Sequence, residues 1–332
     1  MKAAILKGYD KNGCDLEIKD VPVPAMGAKD ILVRVSTAGV NPVDNMIIRG
    51  EVKLIVPYRF PLILGNEFVG VIEDIGTDVK ELQKGDRVYG RMPLDRIGAF
   101  AEYVSVPWDS VAKVPEYLSD EEAVTVPLTA LTAQQALELM HPKEGESIFI
   151  SGGTGSLGAM AIPIAKSMGL KVSTSGNGKN EERVKRLGAE VFINYKKDDY
   201  SKVLKNVDYV LDTVGEKELE KEFSILKEGG TLVSVRAMPN KEFAERMELG
   251  ALKRFMFGFA GRKYDKMAAR RNQRYHFVFV REDGEGLKRM SALMETTRME
   301  TSVDSVFGLD EVNEALRKVA SGGSKGKTII KM

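Results

Sequence analysis

Short apolar runs broken by Gly, Pro and Asp dominate the first third of the chain. Residues 31–35, 68–72, 87–89 and 103–106 alternate or are rich in β-branched side chains, which predicts a compact, mostly antiparallel β domain up to about Val114. After Pro115 the pattern changes. Ser119-Asp120-Glu121-Glu122 reads as a capping box, and residues 128–140 carry a helical pattern that ends before His141-Pro142. From Glu146 onward strand and helix patterns alternate. Residues 208–212, 230–234 and 276–280 fit the fourth, fifth and sixth strands of a doubly wound parallel sheet, an α/β arrangement. The tail holds an amphipathic helix over 309–321, a Gly-rich turn and a strand over 327–330, and is expected to return to the first domain. No internal repeat or low-complexity segment interrupts this order.

One junction in the alternating region carries chemistry. The apolar strand Ile148-Phe149-Ile150 runs into Gly153, Gly155 and Gly158, spaced G-x-G-x-x-G, and a helical pattern follows. Strand, glycine loop and helix in that order form a dinucleotide fingerprint. Gly153 permits the tight turn, Gly155 a close approach of backbone to pyrophosphate, and Gly158 close packing of helix on strand. Thr154, Ser156 and Leu157 fill the loop and the helix N-terminus that faces the phosphates.

The second strand, 171–174, lacks the acid that would bind an adenosine ribose. Ser175-Gly176-Asn177-Gly178-Lys179 follows instead, with Arg183 four residues beyond Lys179. Hydroxyl, amide and cationic groups there suit a 2′-phosphate, so NADPH is expected over NADH. The plainer alternative makes Lys179 and Arg183 the solvated face of the next helix.

A length of 332 residues calls for two domains. A net charge of +1 gives no electrostatic case for nucleic acid, and Cys14, the single cysteine, excludes an internal disulfide framework. No secretory h-region follows Met1-Lys2 and no apolar run reaches bilayer length, so a cytoplasmic protein without a membrane partner is expected.

A set of motifs then points to a family. Gly39-Val40-Asn41-Pro42-Val43-Asp44, the stretch from Gly65-Asn66-Glu67 to Ile72, Lys84-Gly85-Asp86-Arg87-Val88, Gly98-Ala99-Phe100-Ala101-Glu102-Tyr103 and Gly326-Lys327-Thr328-Ile329-Ile330 occur in order along nearly the whole chain. Together they resemble the zinc-independent quinone oxidoreductase branch of the medium-chain dehydrogenase/reductases, closest to NADPH-dependent enone and alkenal reductases. The resemblance implies a GroES-like, mostly β catalytic domain over 1–122 completed by 298–332, and a Rossmann domain over 123–297. It also implies a cleft for nicotinamide and substrate, and a homodimer.

Zinc-dependent members of the superfamily place a Cys where Val40-Asn41-Pro42 stands, a His where Asn66 stands, and a four-cysteine lobe. With one cysteine and two distant histidines, this chain cannot build either zinc site from thiolate and imidazole, so a metal-free enzyme is expected. Without a Lewis acid, hydride transfer to a conjugated C=C bond or a quinone is favoured, because the charge delocalises to an oxygen that hydrogen-bond donors can stabilise.

Asn41 is a candidate donor to the substrate carbonyl, set against a turn-forming role for Asn-Pro. Tyr58 is a candidate donor to the enolate, set against plain packing. Asp44 and Glu67 are expected to organise loop hydrogen bonds. By resemblance, Thr132 lies near the nicotinamide or pyrophosphate, Tyr195 beside the adenosine phosphate, and Phe277 and Phe279 near the nicotinamide as well as in strand core. Lys327 either approaches the cleft or is a solvated hairpin lysine. Ser156 departs from a glycine that is commoner in the family.

Cys14 reads as an ordinary thiol and His141 as a helix terminus. The apolar residues 255–259 fit a lid over the substrate or a dimer contact, and the basic stretch 262–274 a solvated helix face rather than a nucleic-acid surface. Two rival functions stay open: an enoyl-thioester reductase, and a non-catalytic NADPH-binding redox sensor.

Overall fold

The computed structural model describes residues 1–322 and 325–332. Contacts divide the chain into two units, residues 1–131 with 281–332, and residues 132–280.

Unit 1 begins with eight strands: β1 (Lys2–Leu6), β2 (Glu17–Asp20), β3 (Asp30–Val40), β4 (Leu62–Ile63), β5 (Glu67–Ile75), β6 (Arg87–Arg91), β7 (Tyr103–Pro107) and β8 (Val111–Lys113). The alternating runs read from sequence fall in β3, β5, β6 and β7. Their inward residues, among them Val33, Phe68, Val88 and Val104, are buried, and that periodic burial sets each register. The capping box forms as read: Ser119 Oγ accepts from Glu122 N at 3.2 Å and Glu122 Oε2 from Ser119 N at 2.9 Å. A helix that the pattern did not reveal, Pro42–Ile48, follows β3 directly. Pro42 opens it at a position where no amide donor is needed, and Asp44 reaches back to the Asn41 amide at 2.7 Å.

Unit 2 holds β9 (Ser147–Ile150), β10 (Lys171–Gly176), β11 (Val191–Asn194), β12 (Val207–Asp212), β13 (Leu226–Ser234) and β14 (Arg274–Phe277). All pair in parallel, in the order β11-β10-β9-β12-β13-β14. That is the strand order of a Rossmann sheet, reversing direction between β9 and β12, and it confirms the doubly wound α/β reading. The sixth strand lies earlier than its expected span of 276–280. Val278 N makes one more bond to Ser234 O at 3.0 Å, and β13 then ends, so the chain has no further backbone to pair with.

The tail returns to unit 1 as expected. β15 (Val303–Gly308) pairs with β16 (Lys327–Lys331), which lies antiparallel to β3, and the helix Val312–Ser321 comes between them. The Gly-rich turn includes residues 323 and 324, which lie outside the described residues. The observed division at 280/281 also differs from the expected 297/298. The helix Gly284–Thr297 packs within unit 1, where Gly284 fits against the backbone of Asp109 and Val111, and Ser291 Oγ bonds Tyr89 OH at 2.8 Å and Lys113 O at 2.9 Å. At the other boundary the division falls at 131/132, inside the helix Pro127–Met140, rather than at 122/123.

Candidate active site

In unit 2 the fingerprint loop leaves β9 where the strand order reverses, the usual position of a ligand crevice in such sheets. A Cβ on Gly153 would overlap the Thr174 side chain, and one on Gly158 would lie 2.5 Å from Gly152 O and from Gly153 Cα. Both glycines are therefore demanded by packing. Gly155 is different: a Cβ there would meet only Gly152 O at 3.4 Å, and the residue is exposed. It caps the helix Ser156–Ser167 without a side chain, leaving the first-turn amides of Ser156, Leu157 and Gly158 for a ligand. Ser156 takes helical geometry there, so the departure from glycine costs no backbone strain.

The C-terminal end of β10 gathers the next group. Ser175 O accepts from Gly153 N at 2.9 Å, which ties the loop to the strand. Thr154 packs over Gly176, and Tyr195, exposed, bonds Gly176 O through its amide at 3.3 Å. Asn177 Oδ1 accepts from Lys179 N at 3.3 Å and caps a short 3₁₀ turn, placing Lys179 in solvent one turn ahead of half-buried Arg183. Thr132 is buried in the helix Pro127–Met140. Phe277 is buried in the strand core, its ring edge-on to Phe243 at 5.1 Å. Phe279 lies just past β14 and is half-buried.

In unit 1 a buried polar network forms where β3, β5, β6 and β16 come together. Glu67, at the start of β5, is fully buried, and Lys327, at the start of β16, is 4% exposed. Lys327 Nζ lies 2.5 Å from Glu67 Oε1 and donates to Asn41 Oδ1 at 2.6 Å. Asn41 Nδ2 donates to Glu67 Oε1 at 2.7 Å and to Gly39 O at 3.3 Å, and Leu128 N donates to Glu67 Oε2 at 2.8 Å. Gly39 is required because a Cβ there would overlap the Glu67 carboxylate.

These contacts remove one expectation and show what surrounds another. The Lys327 ammonium is buried and held by Glu67 and Asn41, so it is not a solvated hairpin lysine. Both amide hydrogens of Asn41 are engaged inside the network, by Gly39 O and Glu67 Oε1.

Asp44 extends the network, accepting from Asn41 N and from Asn66 Nδ2, each at 2.7 Å. Burial pushes its carboxyl up to about 7, against the pull of those two hydrogen bonds, with Glu67 raising it further and Lys327 opposing. The organising role expected of Asp44 and Glu67 is what the geometry provides.

Tyr58 is buried, and that burial holds its hydroxyl well above the ordinary phenol range. Its electrostatic neighbours include Arg91 and Asp44. Arg91 is the residue that sequence reasoning missed. It pairs with Glu67 across β5 and β6, which turns both side chains to one face, and it is 2% exposed. Arg91 Nη1 bonds Met92 O and lies 3.7 Å from Glu282 Oε2, while Arg91 Nε has no hydrogen-bond partner. Burial lowers the guanidinium's pKa, opposed by Glu282, Tyr58, Glu67 and Asp44. An arginine at a strand end carries no sequence signal; only the cross-strand register reveals it.

The donor set does not suit zinc. The positions of the superfamily's Cys and His ligands are held by amides, and the neighbouring carboxylate is already paired with an ammonium. Among the described residues no group of three or more His, Cys, Asp or Glu can hold a metal.

Comparison with known proteins agrees with this architecture. Residues 27–116 match the alcohol dehydrogenase GroES-like domain and residues 187–330 the zinc-binding dehydrogenase family. The chain is 30% identical to 2-methylene-furan-3-one reductase of Solanum lycopersicum, over 94% of this chain and 74% of the relative. The quinone oxidoreductase structure from Coxiella burnetii superposes with a TM-score of 0.83 at 28% identity, covering 100% of this chain and 99% of that one. The quinone oxidoreductase from Thermus thermophilus, whose structure was also determined in complex with NADPH, gives 0.73 at 27% identity, with both chains fully covered. The chain belongs to the medium-chain dehydrogenase/reductase superfamily of oxidoreductases, and its relatives there include proteins named quinone oxidoreductase and 2-methylene-furan-3-one reductase.

Proposed function

We propose that this protein is an NADPH-dependent oxidoreductase that works without a metal ion and reduces the activated C=C bond of an α,β-unsaturated carbonyl, or a quinone. The observation that supports the reading is the Lys327–Glu67–Asn41 network, in which Asn41, from the stretch where zinc-dependent members carry a Cys, bonds a buried ammonium and its paired carboxylate. NADPH, when bound, supplies the hydride.

The chain's own residues do the rest. The amides of Ser156, Leu157 and Gly158 hold the pyrophosphate, and Ser175, Lys179 and Arg183 surround the 2′-phosphate. In unit 1, Arg91 and Tyr58 face the substrate oxygen. Arg91 has an unused N–H donor at Nε, and the Tyr58 hydroxyl stays protonated at neutral pH, so both donate rather than accept. The Lys327–Glu67 pair fixes Asn41 and, through Asp44, the helix that follows. Protonation of the product carbon comes from water or Tyr58.

The test is NADPH oxidation against a panel of enones, quinones, enoyl thioesters and saturated ketones, before and after dialysis against a chelator. Saturable turnover of enones or quinones that survives the chelator is the expected result. Turnover confined to thioesters would make the protein an enoyl-thioester reductase. Binding of NADPH without any turnover would make it a sensor, and activity lost to the chelator would overturn the metal-free reading.

A further inference from the structure

The helix Ala251–Ala269 turns one face into unit 2 and leaves the opposite face uncovered. Phe257, Gly261, Tyr264 and Ala268, spaced four, three and four residues apart, are buried on the inner face. Phe257 lies edge-on to Phe243 at 5.9 Å, and Tyr264 sits 5.3 Å from Tyr275 in the unit's core. On the outer face Leu252, Phe255 and Phe259 are 73%, 76% and 75% exposed, with Met256 beside them. Their spacing of three and four residues makes a continuous apolar ridge over the first two turns.

The next turns of the same face are cationic. Arg262, Lys263, Lys266 and Arg270 follow at helical spacing, all exposed. The helix's single acid, Asp265, lies off this face and accepts from Asn240 Nδ2 at 2.8 Å. Lysines elsewhere on the surface, such as Lys241 and Lys288, lie against carboxylates. None of these four cations is in an ion pair among the described residues. With a net charge of only +1 on the whole chain, the positive patch is local.

We propose that this face docks on an anionic phospholipid surface, with Leu252, Phe255 and Phe259 entering the acyl boundary and Arg262, Lys263, Lys266 and Arg270 meeting the headgroup phosphates. An apolar ridge joined to unpaired cations on one helix face is the pattern of an interfacial helix. A second copy of the chain fits poorly. Side by side in parallel, two such faces would set cations on cations; in antiparallel they would bury each cationic half against the other's apolar half. No helix among the described residues is long and apolar enough to cross a membrane, so the contact is peripheral. The proposal departs from the expectation of no membrane partner and does not depend on the enzyme reading.

The test floats the full chain with phosphatidylcholine vesicles, with and without phosphatidylglycerol, at low and high salt. Binding to the anionic vesicles alone, weakened by salt, is expected. Phe255→Ser with Phe259→Ser should release the protein, and Lys263→Gln with Lys266→Gln should weaken binding on the order of thirtyfold. Both pairs are exposed, so circular dichroism and melting should match the parent. Failure of the parent to float with anionic vesicles overturns the proposal, as does undiminished binding by both variants. Loss of an oligomer in the Phe variant, without lipid binding by the parent, would assign the face to a second copy.

Discussion

The two candidate sites are built from opposite materials. In unit 2 the chemistry is backbone: glycines bring amides to a helix N-terminus that is exposed and ready for a ligand. In unit 1 it is side chains: an ammonium, two carboxylates and two amides bonded to one another out of water, with a guanidinium alongside. A backbone site can be altered with little loss of fold where, as at Gly155, an added Cβ meets no more than ordinary van der Waals contact. A buried network cannot, because each member satisfies another, and removing one strands its partner.

Lys327→Met should therefore have the largest effect of any single change. It leaves the Glu67 carboxylate buried without its cation, which costs about 3–5 kcal/mol of stability. Denaturant melts should show the loss, and Lys327→Met combined with Glu67→Leu should recover part of it, because the stranded charge is gone. Full stability in the single variant would mean that the ion pair contributes nothing.

Arg91→Met comes next. If Arg91 faces the substrate oxygen, kcat/KM for an enone should fall by about 10²- to 10³-fold while NADPH affinity, measured by calorimetry, holds. A variant that keeps its kcat/KM would remove the guanidinium from the substrate site, and one that melts lower while keeping it would show a structural role only.

Asp44 adds a pH signature to the same network. Its folded carboxyl titrates at about 7, above the ordinary 3.8 of an unfolded chain. A raised acid pKa means that the folded state binds the proton more tightly. The stabilisation is thus complete below pH 3.8 and is lost as pH rises through 7. Melting temperature should fall across that window more steeply in the parent than in Asp44→Asn, and equal slopes would show that Asp44 does not titrate there.

Unit 2 should respond in two separable ways. Gly158→Ala places a Cβ 2.5 Å from backbone that cannot move aside, so stability should drop by about 1–3 kcal/mol along with nucleotide affinity. Gly155→Ala meets only one atom, at 3.4 Å, and its φ of −79° suits any residue. Melting should be unchanged while NADPH binding weakens, because the added methyl stands where the pyrophosphate approaches. If both glycines changed stability equally, the contrast between a backbone site and a packed one would fail.

The same contrast explains what was legible in the sequence. The glycine spacing, the strand before it, the missing acid after β10 and the capping box at Ser119 are local patterns, and each appears in the structure where the chain placed it. The wiring of unit 1 is non-local. Asn41 and Lys327 are 286 residues apart and meet only because β16 pairs with β3. Sequence could name Asn41, Asp44, Glu67 and Lys327 as residues of interest but not show that they spend their polar groups on one another. Arg91 and the helix Pro42–Ile48 were missed for related reasons. One depends on cross-strand register, and the other is too short for a helical period to show.

The smallest expected effect tests the finest claim about unit 2, the preference for a phosphorylated nucleotide. Lys179 stands in solvent at the end of β10, so its attraction for a 2′-phosphate is screened by water and salt and is modest. Lys179→Glu replaces that attraction with repulsion and should raise the Kd for NADPH on the order of tenfold. NADH carries no phosphate at that position, so its Kd should hardly move. The NADPH effect should shrink as salt rises, which a steric explanation would not predict. An equal loss for both nucleotides would remove Lys179 from the phosphate site and leave Ser175, in β10, and Arg183, on the helix that follows, to carry the discrimination.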